Sequence, residues 1–210
     1  MKKFMVLFVA MMLLIPSFAS ANTDAKKEEL AQLPTEKQVE KMNKALDKMV
    51  EKANKKLEKG EENFVLKEKY GKGKKEVVEF GFESQNTTSS VNTQEMTAPL
   101  TYAYAAPSGS KIFYAYVKNY EGFNFEHRLA GEFTYSGGGI NGATKNVDMS
   151  GAMYSESHKT WIDKLDSSVW DVHSNGTFKA LKYLAEYNTY ITVRLLGSGD
   201  YRITRSSIGY

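Results

Sequence analysis

Apolar positions recur at helical spacing in only one long stretch of this chain. Val39, Met42, Leu46, Met49, Val50, Ala53 and Leu57 form a single stripe over residues 35–59, the pattern of an amphipathic helix. Thr35 followed by Gln38 fits a capping box, and Gly60 fits a C-terminal stop. Favourable i,i+4 pairs such as Glu40–Lys44 are offset by like-charge pairs such as Lys37–Lys41, so surface charge adds little net support. The prediction rests on the stripe and the caps. Such a helix either docks on the rest of the chain or lies free before it. A short dimer seam through 35–59 and a membrane-surface role are the sharper alternatives. The stripe spans only about three heptads and carries no aromatic residue, which weakens both.

From residue 61 the period changes to two. Val77–Phe82, Leu100–Tyr104 and Ile112–Val117 are runs of β-branched and aromatic residues, the third continuous enough to predict a strand buried on both faces. Phe123, Phe125, His127 and Leu129 alternate with Asn124, Glu126 and Arg128, so His127 reads as a half-buried strand residue. Tyr190–Leu196 and Tyr201–Thr204 flank Gly197-Ser198-Gly199-Asp200, the pattern of a hairpin with a four-residue loop. The polar stretch 85–98 reads as an internal loop or linker. Residues 177–187 favour a short helix, with Thr177 as N-cap and Ala180, Leu181, Leu184 and Ala185 on one face. Many short strands between regular turns define a mainly β fold, an antiparallel β-sandwich-like domain preceded by an amphipathic N-terminal α-helix.

The first 21 residues have a different character. Lys2 and Lys3 precede the apolar run Phe4–Ile15, and Ala19-Ser20-Ala21 supplies small residues at a cleavage site. This is the tripartite pattern of a secretory signal peptide, and the run is too short to span a bilayer. The expected organisation is a signal peptide at 1–21, a charged helical segment at 22–60, and a β-rich domain at 61–210. The expected location is outside the cell, with no transmembrane segment after signal removal.

Composition narrows the function further. Lys and Arg number 28 against 25 Asp and Glu, a net charge of +3, and Cys is absent. The weak charge argues against nucleic-acid binding. The lack of Cys removes disulfide scaffolds, thiolate metal sites and thiol nucleophiles. An exported chain without Cys and with a Lys-Lys leader points to a bacterial producer, of the Gram-positive kind.

Candidate chemistry is thin. His127, His158 and His173 have no ligand-pair spacing, so no metal site is assigned. The carboxylates between Asp163 and Asp171 lack a calcium-loop spacing. The Gly-x-Ser-x-Gly elbow is missing, and Ser136–Gly139 lacks the Lys and helix of a phosphate loop. No catalytic residue and no cofactor is assigned. The distinctive stretch is 153–173, where Tyr154, His158, Trp161 and Trp170 lie among polar residues. Aromatics in that setting stack on sugars or anchor a protein partner, whereas a Trp on a sandwich strand ordinarily fills the core. The leading expectation is a secreted, non-enzymatic extracellular binding module for a cell-surface or cell-wall glycan, or for another protein. The alternative is a secreted antagonistic, toxin-like protein or precursor acting on neighbouring cells. A secreted hydrolase is the third and weakest option.

Overall fold

The computed structural model describes residues 34–87, 107–120, 124–151, 155–180 and 185–209. The expected leader, the run 100–104, most of the loop 85–98, Phe123 and Tyr154 lie outside the described residues. Among the described residues one helix, α1 (Glu36–Leu57), precedes ten strands. Its capping box is formed: the Gln38 N–H donates to Thr35 Oγ1 at 3.3 Å, and the Thr35 N–H donates to Gln38 Oε1 at 2.8 Å. Gly60 takes φ 76°, and the Glu61 N–H returns to the Lys56 carbonyl at 2.9 Å, which closes the last turn.

The strands form two antiparallel sheets, both meanders. The first contains β1 (Phe64–Lys69), β2 (Val77–Asn86), β3 (Gly109–Asn119) and β4 (Phe125–Ser136) in order. The far edge of β4 is shared by β5 (Gly139–Ala143) and β6 (Asn146–Gly151), one pairing each half of the strand. The second sheet runs β10–β9–β8–β7, with β7 at Ser155–Lys164, β8 at Val169–Ala180, β9 at Ala185–Leu196 and β10 at Tyr201–Gly209. Inward side chains of the two sheets meet in one core, which includes Phe80, Phe113, Leu129, Phe178, Ile191 and Leu195.

Three expectations are corrected here. The run 112–117 is buried on one face only: Phe113, Ala115 and Val117 point inward, while Ile112, Tyr114 and Tyr116 are half-buried on the outer face. His127 is fully buried rather than half-buried. Residues 177–180 and 185–187 are strand and not helix; β8 runs to Ala180 and β9 begins at Ala185, with Phe178 opposite Tyr187. Strand parity places both rings in the core, and Phe178 lies 4.9 Å from Phe125. Burying two large aromatics outweighs the few tenths of a kcal/mol per residue by which Ala and Leu prefer a helix.

The helix lies against β10 and the β1–β2 hairpin. Val39, Met42, Ala45, Leu46, Met49, Ala53 and Leu57 are buried there. The stripe is therefore occupied within the chain, and neither a dimer seam nor a membrane contact is available through it. The flank of the helix does a second job. Asn43 exchanges two hydrogen bonds with the backbone of Ile208 at 2.7 and 2.8 Å, and Asn54 exchanges two with Ile203 at 2.9 and 2.8 Å. The spacings match: eleven helical residues and five strand residues each rise about 16 Å. Two side-chain amides thus replace a neighbouring strand along the outer edge of β10, and the exposed edge that would invite pairing with another chain is closed.

Candidate functional site

The outer face of the second sheet carries the side chains best placed to hold a ligand. Its register sets Trp161 on β7 opposite His173 on β8 and Thr192 on β9, with Asp163, Asp171 and Arg194 in the next row. Strand parity turns all six outward, because Ile162, Val172 and Val193 fill the core between them. The Trp161 indole stacks on the His173 imidazole, with ring centroids 4.8 Å apart and planes 10° from parallel. Asp163 fixes both rings, accepting from Trp161 Nε1 at 3.1 Å and lying 3.1 Å from His173 Nε2. His173 Nδ1 is 3.1 Å from the Thr192 hydroxyl. Beside them, Arg194 grips Asp171 in a two-point pair at 2.8 and 2.8 Å, and that carboxylate holds the guanidinium charged. Lys159 Nζ lies 5.5 Å over the Trp161 ring, and Arg205 lies 3.9 Å over Tyr190.

Asp163, His173 and Thr192 form a carboxylate–imidazole–hydroxyl chain like that of a hydrolase. It fixes the His173 ring between Asp163 and Thr192, and Thr192 is buried.

Of the residues singled out from sequence, the structure separates the two Trp. Trp161 is half-buried on the outer face. Trp170 is turned inward and 6% exposed; its Nε1 donates to the Asp166 carbonyl at 3.0 Å, and Lys164 covers its ring at 4.1 Å. Trp170 is thereby removed from the candidate ligand site. His158 is exposed on β7, next to Lys159. His173 and Asp163 were weighed from sequence but not assigned to the site, and Arg194 was not singled out. They come from strands whose pairing brings distant positions together, and no local motif marks that.

The outer face of the first sheet is also rich in aromatics and charge, but its groups satisfy one another. Glu79 is buried there and accepts from Tyr116 and Tyr120 at 2.7 Å each and from Lys67 at 2.8 Å. Burial alone would raise its carboxyl; the bonds from Lys67, Tyr120 and Tyr116 outweigh it and hold the group below the usual range. Burial and the same bond push Tyr116 up. Glu126 takes Lys118 at 3.0 Å and Arg128 at 2.9 Å.

Among the described residues no group of three or more His, Asp or Glu converges to hold a metal ion. Asp163 and Asp171 face each other across β7 and β8, but their oxygens already serve Trp161, His173 and Arg194. Comparisons of the chain with family models, curated proteins and solved structures find no match. The protein is thus defined by its architecture, a two-sheet antiparallel sandwich whose open edge is closed by an N-terminal helix.

Proposed function

We propose that this protein is an exported, non-enzymatic module that binds a polymer of the cell surface or cell wall on the outer face of its second sheet. The observation that carries the proposal is the Trp161–His173 stack on the outer face, fixed by Asp163. A fixed aromatic surface offers a sugar ring apolar contact at little cost in side-chain entropy. The surrounding carboxylate, guanidinium and hydroxyl groups supply polar partners for ring hydroxyls. Export rests on Lys2-Lys3, the apolar run 4–15 and the Ala19-Ser20-Ala21 site.

The test is co-sedimentation of the protein with purified insoluble cell walls, comparing wild type with W161A. Wild type should bind saturably, and W161A should bind roughly tenfold or more weakly, as expected for loss of an aromatic anchor. Equal binding by a folded W161A protein would remove the outer face as the site. Absence of binding by wild type would remove the polymer reading itself.

A further inference from the structure

The polymer-binding reading leaves the charge of the polymer open, and a neighbouring feature bears on it. A cleft of about 400 Å3 lies between the start of β6 and the middle of β7, lined by Lys145, Asn146, Val147, His158, Lys159 and Thr160. Its volume falls in the range of small-molecule sites. Two lysines and a histidine are among its lining residues, and no carboxylate residue is. Neither Lys145 nor Lys159 forms an ion pair among the described residues. The Thr160 hydroxyl is shielded from solvent and lacks a hydrogen-bond partner. A buried hydroxyl without a partner is costly, and this one lies in the wall of the cleft. Asn146 adds an amide donor at the same wall.

Lys159 joins this cleft to the outer face. It lines the cleft, and its Nζ lies 5.5 Å over the Trp161 ring. We infer that the ligand is an anionic glycopolymer, whose negatively charged group enters the cleft between Lys145, Lys159 and Thr160 while an adjoining sugar or polyol unit rests on Trp161. Both phosphodiester and uronate repeats have the chemistry the cleft would take. The inference rests on the proposed function and specifies its ligand class.

The test titrates the protein with three soluble polymers: poly(glycerol phosphate), polygalacturonate and neutral dextran. Binding is read by calorimetry for wild type and for the K145Q/K159Q variant, in parallel with wall co-sedimentation. At least one anionic polymer should bind, and the one that binds identifies the anion. Affinity should fall roughly tenfold in K145Q/K159Q, the sum of two solvent-accessible charge contacts. It should also fall several-fold between 50 and 500 mM NaCl, as screening shortens the reach of the lysines. Equal binding of dextran, or full affinity in K145Q/K159Q, would overturn the anionic inference. If neither anionic polymer binds but walls still sediment the protein in a Trp161-dependent way, the inference fails and the outer-face reading stands. If walls and all soluble polymers fail, both fall.

Discussion

His127 makes the fold sensitive to mild acid. It projects from β4 into the space between the sheets, with Ser174 of β8 2.8 Å from Nε2 and Thr189 of β9 2.7 Å from Nδ1. A neutral imidazole serves both hydroxyls, donating from one nitrogen and accepting at the other. Burial, aided by the nearby His158, pushes its pKa down from 6.5 to about 3. The folded state therefore refuses a proton that the unfolded chain accepts, and stability falls as pH drops from about 6.5 toward 3. Linkage over that interval gives a loss of about 2 kcal/mol between pH 7 and pH 5, and about 3 kcal/mol by pH 4. Asp and Glu in the unfolded chain titrate near pH 4, so above pH 5 a comparison with H127Q, which keeps His158 and His173, isolates His127. Urea unfolding at pH 7, 6 and 5, followed by circular dichroism, measures the loss. The H127Q variant cannot titrate, and its stability should be nearly level over the same interval, though lower at pH 7. Parallel pH dependence in wild type and H127Q would refute the assignment of a neutral, proton-excluding His127.

Other substitutions test the packing and the edge closure. N43A and N54A should each lower unfolding free energy by about 1–2 kcal/mol, because each leaves a strand N–H and C=O without a partner; the double variant should also associate in sedimentation velocity, through the uncovered β10 edge. M49A, at the centre of the buried helix stripe, should cost about 2–5 kcal/mol by chemical denaturation. Gly81 lies under the Tyr116 ring, and an added Cβ would sit 2.1 Å from it. G81A should therefore displace Tyr116 from Glu79 and cost about 1–3 kcal/mol, with a changed tyrosine absorption titration as the local readout.

The helix was legible in the sequence because its signals are local. The Thr35–Gln38 box and the three- and four-residue steps of the stripe lie within one segment, and no tertiary contact had to be known. The β9–β10 hairpin was legible for the same reason, its loop being four residues between two alternating runs. Residues 177–187 were not, because helix formers are dense there, and the deciding term at the described positions is the burial of Phe178 and Tyr187 in the core. The candidate site was half visible. Trp161 and His158 stood out by residue type, but only the β7–β8 register shows that Trp161 stacks on His173 while Trp170 turns inward. Lys145 carried no signal at all until β6 was placed beside β7.

The closure of β10 by α1 also sets an order on folding. Asn43 and Asn54 bond to residues 165 and 149 positions later in the chain. The helix is made near the start, but the surface that covers its apolar stripe includes the last strand. No partial chain can satisfy both, so the domain locks only when its final residues are free to move. Contacts this distant in sequence are slow to form. The helix would therefore stay undocked until β10 is in place, and the domain would gain its stability in one late step.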